Sequence, residues 1–205
     1  MYILISIFGM GRKAQYNKEQ FVSAALRLLA QKGPTGVTMK GVAEEAGAPM
    51  GSVYHRFPSR DVLMAELWVR TAASFQQGFL RALEQGDGLS AALYTPRWIR
   101  KHPQEGRVLL MYRREDLLKD AWPSGLKARA RQLTDALDRG VRSFIRKKFH
   151  TRSRETLDRT LFALIDVPHA AVRRYLEVGQ APPEGIDALI QETYFAILEG
   201  KHESI

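Results

Sequence analysis

The sequence predicts an all-α protein in two parts, a short N-terminal three-helix unit followed by a longer helical body. Three observations carry this expectation. Apolar residues recur at three- and four-residue spacing in nine successive segments, as one buried helix face requires. No segment alternates convincingly between apolar and polar residues as a half-buried strand would. Helix breakers separate the periodic segments, at Gly33-Pro34, Gly47-Ala48-Pro49, Gly86-Asp87-Gly88 and Gly179-Gln180-Ala181-Pro182-Pro183. With 205 residues, 45% of them hydrophobic and 26% charged, the chain can close an ordinary apolar core, which excludes disordered and fibrous classes. It has no cysteine, so disulfides, thiolate metal sites and cysteine nucleophiles are excluded as well.

Residues 1–16 are expected to be a flexible segment. Met1 to Gly9 hold no charged side chain, but Arg12 and Lys13 follow long before the roughly 20 apolar residues that a membrane span needs. A signal peptide would carry its charge before the apolar stretch, not after it. The expected start is therefore Met10, with residues 1–9 an over-extended reading frame, and the expected compartment is the cytoplasm.

The head is expected to span 17–60. Asn17 and Gln20 form a capping-box pattern, and Phe21, Val22, Ala25, Leu28 and Leu29 give the first helix its apolar face. Thr38 suits the cap of a two-turn second helix with Met39, Val42, Ala43 and Ala46 inward, and Gly47 suits the left-handed position beyond its end. Gly41 inside that helix reflects either close packing or tolerance. Met50 to Phe57 form a third helix, with Val53 and Phe57 on one side and Gly51, Ser52, His55 and Arg56 on the other. Two short helices joined by a tight turn, the second presenting small and polar side chains, meet the requirements of a helix-turn-helix entering a DNA major groove. Ser59 caps a fourth helix that opens with Arg60, where free backbone N–H groups and a guanidinium suit a phosphate.

Charge agrees with that division. The chain carries +9 in all. Between residues 10 and 60, Arg12, Lys13, Lys18, Arg27, Lys32, Lys40, Arg56 and Arg60 stand against Glu19, Glu44 and Glu45, leaving +5 there and +4 for residues 61–205, since residues 1–9 are uncharged. An anionic partner for the head is the expectation.

The head closely resembles the TetR/AcrR family of one-component transcriptional regulators. The resemblance lies in Ala24-Ala25 and Leu28-Leu29 before Gly33, in Val37-Thr38 with Val42-Ala43 and Ala46-Gly47, in Gly51-Ser52-Val53-Tyr54 with Phe57, and in Ser59-Arg60-Asp61 with Leu63, about fifty residues in register. Arg60 stands where Lys is more usual, and the pair His55-Arg56 also departs from the family pattern, which bears on base preference. The resemblance implies that Met50, Gly51 and Ser52 approach base edges, that Tyr54 and Arg60 hold phosphates, and that Lys40 reaches a base or a phosphate. It gives Thr38 a phosphate contact or a helix cap. Arg56 reads guanine or neutralises a phosphate, the latter preferred, and His55 either touches DNA or is a partly buried, hydrogen-bonded side chain. Arg12 and Lys13 either enter a minor groove or belong to a solvated tail.

The body is expected over 61–205. One long helix runs from Arg60 to Gln85, and two shorter ones cover Leu89 to His102 and Pro103 to Leu118. Another long helix begins at Trp122-Pro123-Ser124, one from Arg154 to Val178 is kinked or interrupted at Pro168, and a last one covers Glu184 to Glu199. The resemblance implies dimerisation through the last two helices, for which Leu157, Leu161, Leu164, Ile186, Leu189, Ile190, Ile197 and Leu198 are the expected surface, unless they fill the protomer's own core. It also implies a small-molecule effector pocket, with Trp98, Met111, Tyr112, Trp122, Phe162, His169 and Tyr175 as candidates against ordinary packing. The run Arg146-Lys147-Lys148 with His150, Arg152 and Arg154 reads as a helix C-terminus and a solvated loop. The histidines at 55, 102, 150, 169 and 202 are scattered, Asp166 and His169 are too few for a metal site, and no nucleophile elbow or phosphate loop occurs. No catalysis, cofactor or metal is expected. The expected function is a homodimeric repressor binding a palindromic operator under effector control; the alternative is a ligand-independent architectural DNA-binding protein.

Overall fold

The computed structural model describes residues 16–110 and 122–200, with Leu110 described by its backbone only. The described residues form helices and connections, without a strand, and the chain divides into two compact units between Arg60 and Asp61. Residues 1–15, including Met10, Arg12 and Lys13, lie outside the described residues, as do Met111 and Tyr112.

In the first unit, α1 spans Lys18–Lys32, α2 Met39–Glu45 and α3 Met50–Arg56, with a 3-10 turn at Pro34–Gly36. The capping box of α1 is formed: the Gln20 N–H donates to Asn17 Oδ1 at 3.0 Å, and the Asn17 N–H to Gln20 Oε1 at 2.8 Å. Thr38 Oγ1 accepts from the Gly41 N–H at 3.0 Å and caps α2, and Gly47 takes φ +63, which a side chain would resist. Phe21, Leu29, Val37, Val42, Val53 and Phe57 are buried together, with Phe21 and Phe57 edge to face at 6.5 Å. A Cβ on Gly41 would lie 3.1 Å from Thr38 Oγ1 and 3.4 Å from Leu28 Cδ1, a tight fit that a small shift of these side chains would relieve.

The second unit is built on α4 (Arg60–Glu84, its first residue in the head), α5 (Gly88–Lys101), α6 (Pro103–Leu110), α7 (Ser124–Phe149), α8 (Arg154–Leu161), α9 (Val167–Glu177) and α10 (Gly185–Leu198). Two local features add detail to the sequence expectation. The helix expected from Arg154 to Val178 holds a π-helical turn at Phe162–Asp166, ending two residues before Pro168. Proline lacks the N–H and its ring presses on the carbonyl four residues back, and one wider turn relieves both conflicts without a sharp break. In addition, Asp87 caps α5, accepting from the Ser90 N–H at 2.8 Å, and α5 continues through Pro96.

Phe79, Leu83, Phe144, Leu164, Ile190 and Tyr194 form the centre of the larger core, and Trp98, Ile99, Val172 and Leu176 a smaller one. Gly88 permits the close approach of α5, since a Cβ would lie 2.6 Å from Phe144 Cζ and 2.7 Å from the Tyr194 hydroxyl. The expected dimer stripe is corrected here. Leu164, Ile186 and Ile190 are buried in the protomer's own core, Leu157, Leu161, Ile197 and Leu198 pack against it, and Leu189 alone of the eight is exposed. Because α5 packs against both α9 and α10, those faces are already used within one chain. The apolar groups left outward on these helices and the links beside them are Phe162, Val178, Leu189 and Phe195.

A charged cluster ties α4 to α7. Glu66, only 7% exposed at its side chain, accepts from Arg70 Nε at 2.8 Å and from Arg129 at 2.8 and 2.9 Å. Burial pushes the Glu66 carboxyl up, but the hydrogen bonds and charge of the two arginines outweigh it and hold its pKa below the ordinary carboxylate value.

Candidate nucleic-acid interface and ligand cavity

Packing of the head decides which side of α3 is outward. Burying Val53 and Phe57 leaves Met50, Gly51, Tyr54 and His55 exposed and Ser52 half-buried, on a helix of seven residues. A Cβ built on Gly51 meets nothing within 4 Å, so no neighbour inside the protein requires glycine there. Tyr54 is 48% exposed and projects a phenol from the same helix. Thr38 is exposed while its hydroxyl caps α2, and Lys40 is exposed beside Glu44 at 3.8 Å, a surface pair worth little in water.

Two basic residues of the head also make contacts within it. Arg60 donates from Nε to the Val37 carbonyl and from a terminal nitrogen to the Pro34 carbonyl, both at 2.6 Å, so it holds the connection between α1 and α2. Arg56 donates to the Tyr16 carbonyl at 3.4 Å, while the Tyr16 hydroxyl donates to the Gly47 carbonyl at 2.8 Å and so fixes the helix-turn-helix turn. No spacing in the sequence announces these long-range bonds, which join residues 23 to 40 positions apart.

The body holds a cavity of about 300 Å³ that opens to solvent on one side. Its wall comes from α4 to α9, with Trp68, Ala72, Phe75, Gln76 and Phe79 of α4 forming one side and Leu133, Leu137 and Val141 of α7 another. Most of the wall is apolar. The polar groups are Trp68, Gln76, Thr95, Thr134, Asp138 and His169. His169 stands at the edge, reached by solvent on one side. Burial of its inner side, followed by the charge of Arg173, lowers its pKa below the ordinary imidazole value against the pull of Asp166.

Of the described candidates for an effector pocket, His169 lines the cavity and the others do not. Trp98 is buried behind the wall, edge to face with Phe75 at 5.3 Å. Trp122 is buried ahead of α7, and Tyr175 lies under the Arg174 guanidinium, whose carbon is 4.8 Å from the ring centroid. Phe162 is 51% exposed, on the outer side of the π turn. Trp68 and Gln76 escaped the sequence reading; the available signal was a Trp and a Gln set among Ala72, Phe75 and Phe79 on the apolar side of α4. Among the described residues no group of His, Asp and Glu could hold a metal ion, and no helix is long and apolar enough to cross a membrane.

A three-helix head whose second and third helices form an outward helix-turn-helix, followed by a helical body, is the arrangement of a helix-turn-helix domain with a second helical domain. Residues 21–67 match the family described as bacterial regulatory proteins, tetR family. The matched stretch is the three-helix head and the first turns of α4, about a quarter of the chain. The HTH-type transcriptional regulator AcrR of Shigella flexneri is 30% identical over 57 residues, which are 28% of this chain and 26% of that protein. The match thus spans about a quarter of the curated relative's length. Over nearly the whole chain the likeness is one of fold. A transcriptional regulator from Rhodococcus sp. Rha1 superimposes with a TM-score of 0.67 at 17% identity, covering 90% of this chain and 97% of that one. The transcriptional regulator FadR from Bacillus subtilis, solved in complex with stearoyl-CoA, gives 0.57 at 14% identity, covering 91% and 100%. The matched family and these similar proteins are transcription regulators, not enzymes.

Proposed function

We propose that the protein is a homodimeric transcriptional repressor that binds a palindromic operator through α3 and the start of α2, and that a small molecule held in the body controls it. The observation that carries this reading is the outward face of α3, where Gly51 has open space around it and Ser52, Tyr54 and His55 face outward on a basic head. A glycine with no structural need admits close approach of a base edge or phosphate, and Ser52 is a permissive donor and acceptor for base edges. Tyr54, Lys40 and Arg56 supply phosphate contacts, Met50 and His55 flank the bases, and Thr38 and Arg60 add phosphate contacts at the helix starts, Arg60 while also bracing the head.

One recognition helix of seven residues makes few base contacts. Two related by a two-fold axis read half-sites about 34 to 36 Å apart. The exposed apolar groups Phe162, Leu189 and Phe195, with Val178, support a self-complementary face on the last helices. For control, α4 is the element both functions share: Arg60 at its start braces the head, and five residues further along face the cavity. The ligand-bound relative supports an effector in the body. An effector that prefers one position of α4 shifts the DNA-bound population, and a coupling of roughly 1–3 kcal/mol changes occupancy severalfold or more.

The test is selection of bound genomic fragments by the purified protein at a stated near-physiological salt concentration. A short palindrome is the expected recovery. Sequence-independent recovery would overturn the operator reading and favour an architectural DNA-binding protein.

A further inference from the structure

Two side-chain polar atoms of the body are shut away from solvent without a hydrogen-bond partner, the indole Nε1 of Trp68 and the amide Oε1 of Gln76. Both residues line the same cavity, from the same helix. A buried polar atom left unpaired loses its hydration without compensation, and folded proteins hold few of them, so two on one wall call for an explanation. Their chemistry is opposite: the indole N–H can only donate and the amide oxygen can only accept. They stand eight residues apart on α4, about 12 Å along the helix axis, with Ala72 and Phe75 between them.

The rest of the described wall limits what could meet these atoms. Among the described residues no Lys or Arg lines it, so an anion finds no fixed counter-charge on this part of the wall. Its one carboxylate, Asp138, is half exposed and accepts from Arg142 Nε at 2.9 and 3.0 Å, so a cation finds that charge already answered. A charge moved from water into such a wall would lose its hydration without an ionic partner. The remaining surface, from Phe75 and Phe79 to Leu133, Leu137 and Val141, rewards apolar area.

We infer that the cavity takes a neutral, elongated, mostly apolar molecule with a hydrogen-bond acceptor at one end, for the Trp68 indole, and a donor at the other, for the Gln76 amide. The inference rests on the reading of the body as an effector domain and adds the chemical class of the effector.

Four biphenyls test it by calorimetry on the full-length protein: para-acetyl-para′-hydroxybiphenyl, its analogues lacking the hydroxyl or the acetyl group, and para′-hydroxybiphenyl-para-carboxylic acid, which is anionic at neutral pH. The bifunctional ketone-phenol is expected to bind about tenfold more tightly than each of the other three. Gln76→Leu should abolish the advantage of the hydroxyl and leave that of the acetyl group, and Trp68→Phe should do the reverse; DNA binding by each variant reports that it has folded. Equal or tighter binding of the carboxylate, preferences unchanged in both variants, or binding of none of the four would overturn the inference. DNA binding by the unliganded protein separates this from the reading beneath it. Protein that binds DNA but not the ketone-phenol overturns the ligand class alone, whereas protein that binds the ketone-phenol but no DNA overturns the regulator reading and upholds the ligand class.

Discussion

The head and the body present their polar groups in opposite directions. In the head the apolar side chains close on themselves around Phe21 and Phe57, and Gly51, Tyr54, His55 and Lys40 are exposed to water with Ser52 half-buried beside them. In the body the surface is laced with ion pairs such as Arg154–Asp158 and Arg173–Glu177, while Trp68 and Gln76 turn unpaired polar atoms away from water. The two regions therefore suit two kinds of recognition. An outward basic face acts through charge at long range and is weakened by salt. An inward apolar cavity acts through desolvation and a few hydrogen bonds, which salt scarcely touches.

Ionic strength should separate the two most sharply. Between 50 and 200 mM salt, DNA affinity is expected to fall by on the order of 10³- to 10⁵-fold, as for six to ten phosphate contacts over two heads, while the affinity for the biphenyl ketone-phenol changes by less than about twofold. Anisotropy on labelled DNA and calorimetry on the ligand check the pair, and a similar salt dependence for both would erase the distinction.

A smaller effect is expected inside the body. Glu66→Gln should lower its stability by about 2 kcal/mol at neutral pH, since a nearly buried carboxylate shared by Arg70 and Arg129 is lost. Because the folded-state pKa of Glu66 lies below its unfolded value, its contribution is complete above the unfolded pKa and disappears as pH falls through the folded one. The gap between native and variant melting should accordingly hold from neutral to mildly acidic pH and close in strong acid, with the salt slope of DNA binding unaltered.

Arg60 sharpens the comparison from the head's side. Arg60→Ala should destabilise the head by about 1–2 kcal/mol through loss of the bonds to Val37 and Pro34, and should also reduce the salt slope of DNA binding by about one per head if the guanidinium meets a phosphate. Arg60→Lys keeps the charge but not the planar fork, so a variant with the native salt slope and lowered stability identifies the charge as the DNA contact. Gly51→Ala is expected to have the smallest effect on folding, a gain of about 0.5–1 kcal/mol because the Cβ enters open space and Ala favours the helix. Yet it should weaken operator binding severalfold; a variant that is more stable and binds DNA as tightly as before would remove Gly51 from the interface.

The same contrast governs what the sequence alone made legible. In the head the deciding chemistry is local: Asn17 and Gln20 are three residues apart, Thr38 caps the turn it begins, and Gly47 sits where a left-handed residue is needed. The sides of α3 followed from Val53 and Phe57 alone. Arg60 shows the limit, because its carbonyl partners come from a chain segment whose approach no spacing announces. In the body the helices were legible from periodicity, and the interruption expected near Pro168 takes the form of a wider turn just before it. The cavity was not. Large apolar side chains serve core and cavity wall alike, and only the packing of α4 to α9 sends Phe75 and Phe79 to the wall, Trp98 behind it and Phe162 to the surface. The outer face of the last helices was obscured in the same way, since Leu164, Ile186 and Ile190 carry the same periodicity as the exposed Leu189.

The central claim is that the inward site governs the outward one through α4. The most direct measurement is the operator Kd with and without saturating para-acetyl-para′-hydroxybiphenyl, for the native chain and for Gln76→Leu at matched free ligand. The account predicts a change of at least about fivefold in the native protein and a clearly smaller one in the variant. Full occupancy of the cavity by calorimetry with an unchanged operator Kd would contradict it.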